Sequence, residues 1–192
     1  LRFYNYYFSP ERDLVRKIRS MVGFTPYKLS TFKIAFSHKS SSSEKGYAIQ
    51  NNERLEYLCD AVLGTIVAEY LFKKYPNKNE GFLTKMRSKI VKRQSLNKIA
   101  DKMGLDVILN EYNQTRLSRS MLGNALEAFI GAVYLDVGYY GTQKFVVNKI
   151  DGTATYSDGQ VDGFKQVFLI DDTGNNLYMH HALFENDGGE VN

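Results

Sequence analysis

The sequence predicts an all-α body followed by a short tail of different character. Three observations carry that prediction. Apolar residues recur at helical spacing through most of the first 150 residues, Pro10 and Pro76 fall at segment edges, and no convincing strand precedes Asp151. Hydrophobic residues make up 43% of the 192, enough for a core, which excludes wholesale disorder.

Residues 1–8 (Leu1-Arg-Phe-Tyr-Asn-Tyr-Tyr-Phe8) form an aromatic arm whose structure the sequence leaves open. Ser9 at an N-cap and Pro10 at the first helical position start a helix. Its apolar face is Leu14, Val15, Ile18, Met21 and Val22, and Gly23 ends it. A short helix is expected over Ser30 to Phe36, then a polar loop, Ser40 to Gly46. From Asn51 to about Lys74 the pattern is helical, with Leu55, Leu58, Val62, Leu63, Ile66 and Val67 on one broad apolar face and Pro76 closing it. A helical pair is expected from Glu80 to Met103, with Gly104 as the stop. A strongly apolar helix follows from about Ser118 to Leu135 (Leu122, Leu126, Phe129, Ile130, Val133), and a last short one from Gly141 to Ile150.

The tail, 151–192, is punctuated by Asp-Gly turn signals at Asp151, Asp158, Asp162 and Asp187. Lys165 to Ile170 and Asn176 to His180 read as strands, with Thr173-Gly174-Asn175 turning a hairpin between them. The expected division is therefore a helical domain over 1–150 and an acidic extension over 151–192.

Charge follows the same division. The chain carries +4 overall, but residues 1–150 hold 24 bases and 13 acids, whereas the tail holds one base, Lys165, and eight acids. A body at +11 favours a polyanionic partner, nucleic acid first. One cysteine, Cys59, excludes an intramolecular disulfide framework and a cysteine-rich zinc site, and three scattered histidines do not make a histidine-based metal site. No apolar run reaches membrane-spanning length and no signal peptide opens the sequence, so a cytoplasmic location is the expectation. The sequence opens on Leu1 rather than Met, which leaves room for residues before it.

Glu53, Glu56 and Asp60 stand at i, i+3 and i+7, within about 60° of one helix face and opposite the Leu55, Leu58, Val62, Ile66 side. Like charges so arranged repel unless a cation neutralises them; a solvated acidic stripe is the competing reading. Asn124 and Glu127 stand at i, i+3 in an otherwise apolar helix, where a lone glutamate either reaches water at a rim or has a partner. Oxygen donors of this kind, several of them carboxylates, suit Mg²⁺ or Mn²⁺. A metal beside a basic surface suggests phosphodiester hydrolysis. Lys85, Arg87, Lys89, Lys92, Arg93, Arg116 and Arg119 supply bases near the acids in sequence; singly, each is also an ordinary solvated position.

Asn52-Glu-Arg-Leu-Glu-Tyr-Leu-Cys-Asp-Ala-Val-Leu-Gly64 resembles the signature of the ribonuclease III nuclease domain. Phe36 to Ser40, Glu80 to Val91 and Gly123 to Asp136 are similar to three further segments of that family, in the same order, so the resemblance covers about Pro10 to Ile150. It implies an all-α, homodimeric endonuclease that cuts double-stranded RNA with Mg²⁺, Mn²⁺ substituting, to leave 5′-phosphate and 3′-hydroxyl ends. Carried over, it makes Glu56, Asp60, Asn124 and Glu127 the metal positions. Asp60 and Glu127 become the core catalytic acids, and Glu53 and Glu80 auxiliary acids. It also implies a dimer contact along the apolar side of the signature helix. Asn124 stands where the family pattern has Asp, and Cys59, on the apolar stripe, where it has Gly. The tail is too short and too acidic for the double-stranded-RNA-binding domain that follows in many members. Those departures support an alternative, a catalytically weak relative that binds structured RNA or a ribosomal particle; a plain helical interaction domain leaves the acid pattern unexplained.

Overall fold

The computed structural model describes residues 2–37, 52–113 and 119–151, and among them every regular element is a helix. In order these are α1 (Arg2–Tyr7), α2 (Arg12–Val22), α3 (Leu29–Phe36), α4 (Glu53–Lys74), α5 (Glu80–Val91), α6 (Arg93–Lys102), α7 (Leu105–Asn113) and α8 (Arg119–Asp151). The predicted all-α body is therefore what the chain forms. The serine loop, Arg116 and the hairpin read from the tail lie outside the described residues.

The aromatic arm is helical, and its polar side fixes it. Asn5 Nδ2 donates to the carbonyls of Pro26 and Tyr27 at 2.9 and 3.1 Å, and Arg2 pairs with Asp136 at 3.5 Å. The Ser9 hydroxyl accepts from the Glu11 N–H, and α2 proper starts at Arg12, two residues later than the Ser-Pro signal implies. Gly23 closes α2 at φ 80°, a left-handed turn that costs glycine nothing. Asp136, part of the last matched sequence block, accepts from the backbone N–H groups of Tyr27 and Lys28 ahead of α3, so its role is structural.

Helix α8 is the central element and packs against α3, α4, α6 and α7. Its Phe129 is fully buried where Phe32, Phe36 and Phe145 meet, with ring centroids 5.6, 5.7 and 6.1 Å away. The two helices expected over 118–135 and 141–150 both form within α8, separated by a break at Gly138 (φ 70°, ψ −171°), where glycine takes a conformation other residues resist. Helix α7 was not anticipated, although Leu105, Ile108 and Leu109 carry the i, i+3, i+4 pattern. Gly104 (φ 70°) ends α6 as expected, and the chain resumes as a helix at once.

One expectation is overturned. Leu55, Val62, Leu63, Ile66 and Val67 of α4 are buried in the chain's own core, and Leu58 is packed against it. The apolar side of the signature helix is thus spent on the fold, mainly against α8, and is closed to a second copy. Cys59 is fully buried among the same residues. Burial, with the nearby acids adding to it, pushes its thiol pKa well up, so it packs and is no nucleophile.

Candidate functional site

Helices α4, α5 and α8 place the acids. Asn79 caps α5 by accepting from the Phe82 N–H at 3.0 Å, which sets Glu80 as the first helical residue. Gly131 lets α8 lie directly on the α4 backbone: a Cβ there would sit 2.5 Å from the Leu55 carbonyl oxygen. Glu127, one turn before Gly131, is thereby brought beside Glu56, one residue after Leu55.

Asp60, Glu80 and Glu127 line one open cavity of about 880 Å³ between α4 and α5, with Arg87 on the same wall. Its floor is made of small or apolar positions of α4, Ala61, Gly64, Thr65 and Ala68, running out to Phe72. The Thr84 hydroxyl donates to Glu80 at 2.8 Å and orients it.

Glu56 is half-buried just behind this mouth, and its pKa is pushed up to about 7, first by burial, then by the charges of Glu127 and Glu53, against the lowering pull of Arg93. Glu127 is raised too, by burial and by Asp60, with Arg93 again opposing. Glu56 thus feels Glu127 and Glu53, and Glu127 feels Asp60, so these acids of α4 and α8 are electrostatic neighbours. Asn124 sits one turn before Glu127, and its side-chain oxygen accepts a hydrogen bond from the Arg93 guanidinium. Among the described residues, however, no three His, Cys, Asp or Glu side chains converge tightly enough to ring an ion. The acids form an open patch, with Arg93 as its counter-charge.

In donor chemistry and electrostatics, though not in spacing, this patch suits a divalent metal. The donors are hard oxygens, carboxylate and amide. The burial and repulsion that oppose ionisation of Glu56 and Glu127 are what a bound cation relieves. The basic residues divide: Arg87 lines the cavity, whereas Arg93 belongs to the acid cluster itself. The sequence grouped Arg93 with the other bases, because no periodic signal marks a contact between α6 and α8.

This electrostatic arrangement has a pH signature. Glu56 has a folded pKa above its ordinary value of 4.5, so the folded chain holds a proton that the unfolded chain releases. Its contribution to stability is full below about pH 4.5 and is lost as pH rises toward 7. Metal-free protein is expected to show this loss in thermal midpoints between pH 5 and 7.5, and Glu56→Gln to flatten it. Added Mg²⁺ is expected to raise the midpoint more at pH 7.5 than at pH 5. A parent slope unchanged in Glu56→Gln would show that another group causes it.

Comparison with known proteins gives the chain's family. A sequence model of the ribonuclease-III-like family matches residues 30–152. The chain is similar to ribonuclease 3 of Azobacteroides pseudotrichonymphae, 44% identical over 145 residues, which covers 75% of this chain and 56% of that protein. It is 35% identical over 182 residues to ribonuclease 3 of Flavobacterium psychrophilum, covering 91% of this chain and 74% of that one. This second match extends past Asp151. A solved structure of the nuclease domain of ribonuclease III from Campylobacter jejuni, described for flexibility in a region involved in dimer formation, superposes with a TM-score of 0.62. It is 33% identical and covers 72% of this chain and 96% of that one. The chain spans about half the length of the Azobacteroides relative.

Proposed function

We propose a function from one premise: this chain belongs to the ribonuclease III family. It acts as the nuclease part of an endoribonuclease that hydrolyses double-stranded RNA with Mg²⁺, Mn²⁺ substituting. The observation that carries the reading is that Asp60 of α4 and Glu127 of α8 line one open cavity, with Glu56 close enough behind them to feel the charge of Glu127, in a body at +11.

Glu56, Asp60, Glu127 and the Asn124 oxygen would hold the ion, which when bound polarises the phosphate and neutralises charge developing on it. Asp60 and Glu127 accept hydrogen bonds from the attacking water and fix its line of approach. The water oxygen bonds to phosphorus as the bond to the 3′ oxygen breaks; the water gives up a proton and the departing 3′ oxygen takes one from solvent, which leaves 5′-phosphate and 3′-hydroxyl ends. Glu53 and Glu80 extend the acidic field. Arg87 meets the phosphate backbone from the cavity wall.

A duplex has two antiparallel strands, which suits a two-fold homodimer. Because α4 buries its apolar side, the second copy belongs on the open α4–α5 face, where Phe72 is 71% exposed. Phe72→Lys is therefore expected to give folded monomers by sedimentation, while the parent sediments as a dimer at micromolar concentration. A Phe72→Lys protein that remains dimeric would place the interface elsewhere.

The acidic tail is read as an extension and not as an RNA platform. Deleting 151–192 raises the net charge from +4 to +11 and should tighten RNA binding at low salt, an effect that fades as salt rises. A deletion variant that binds much more weakly would put the tail in the RNA surface. No described helix is long and apolar enough to cross a membrane, and a cytoplasmic location accompanies the reading.

One contact favours a second reading. The Asn124 oxygen is held by Arg93, as expected of a weak relative that binds structured RNA without cutting it. A long RNA duplex incubated with and without Mg²⁺ separates the two. Mg²⁺-dependent cleavage selects the nuclease; retarded but intact RNA selects the binder; no interaction at low salt excludes both.

A further inference from the structure

Arg93 is the first residue of α6, directly after the extended break at Lys92 (φ −63°, ψ 146°). Gly123 lets α6 approach the start of α8: a Cβ there would lie 2.6 Å from Asn97 Oδ1 and 3.6 Å from both Arg93 Cγ and the Arg93 carbonyl oxygen. The guanidinium then reaches Asn124 and donates to its side-chain oxygen. Its charge also favours ionised Glu56 and Glu127, which burial and repulsion oppose. A cation is thus already in place among the groups assigned to a divalent ion, and it occupies one of the donor oxygens.

We propose that Arg93 is a built-in counter-cation of the acid cluster, a positioning residue that competes with the divalent ion for the Asn124 oxygen. It thereby sets the metal concentration at which the site fills. The inference rests on the metal reading above and deepens it. It also gives position 124 a physical role. An aspartate there would form a charge-assisted pair with Arg93, about twice as strong as a neutral hydrogen bond. The amide gives up one negative charge toward the metal, and in exchange holds Arg93 weakly enough to be displaced. Arg93 and Asn124 act as a matched pair.

The test is Mn²⁺ binding to the full chain without RNA, followed by loss of the free-ion electron paramagnetic resonance signal. Arg93→Gln removes a unit charge near the ion and should bind Mn²⁺ about fivefold more tightly, while its metal-free thermal midpoint falls. Arg93→Lys keeps the charge and should stay within about twofold of the parent. Asn124→Asp should improve Mn²⁺ affinity more in the Arg93→Gln background than in the parent, because the two sites are coupled. If Arg93→Gln lost its helical circular dichroism, Arg93→Met would carry the same comparison with the stem retained. Equal or weaker Mn²⁺ binding by the neutral variant, or equal gains from Asn124→Asp in both backgrounds, overturns the inference and leaves the metal reading standing. No Mn²⁺ binding by parent or variant at millimolar ion overturns both.

Discussion

Glu127→Ala is expected to slow cleavage of duplex RNA by about a thousandfold or more, with the fold intact. An ion that stabilises the transition state by several kcal/mol depends on its anionic donors, and each 1.4 kcal/mol is a factor of ten. Stability should hold or rise in the metal-free protein. Glu127 is half-buried and raised in pKa, so its removal takes away a desolvated group and relieves Glu56 of a like charge. Circular dichroism, thermal midpoint and duplex binding measured together separate this from unfolding. A Glu127→Ala protein that cuts at the parent rate would remove Glu127 from the site.

Gly131→Val is expected to destabilise the chain by about 3 kcal/mol or more and to abolish the site with it. The added Cβ would meet the Leu55 oxygen at 2.5 Å and the Leu55 carbonyl carbon at 3.2 Å. These are backbone atoms, so no side-chain rotation gives way, and α4 and α8 must part. The same crossing sets Glu127 against Glu56. Chemical denaturation reports the first loss and the metal-induced thermal shift the second. A Gly131→Val protein of parental stability would mean that the two helices do not cross this closely.

The helical body was legible because its signals are local. The 3.6-residue recurrence of Leu55, Val62 and Ile66 marks α4, and Pro76 and Gly104 punctuate the chain, Gly104 through its positive φ. The acids of α4 were legible as a group for the same reason, since i, i+3 and i+7 share a face. What was hidden depends on which helix meets which. The apolar side of α4 reads equally well as a core face or a dimer face; only the docking of α8 through Gly131 decides for the core. Arg93 reads as one base among seven until Gly123 brings α6 onto α8. Helix α1 escaped because its apolar rings mostly face outward, with Phe3 at 69% exposure, while a buried asparagine anchors it.

The most direct test is a crystal structure of the full chain grown in Mn²⁺, with the ion located by its anomalous signal. The account predicts an ion held by Glu56, Asp60, Asn124 and Glu127, with the Arg93 guanidinium withdrawn from the Asn124 oxygen. Density for the ion elsewhere, or none while Arg93 remains on Asn124, would contradict it.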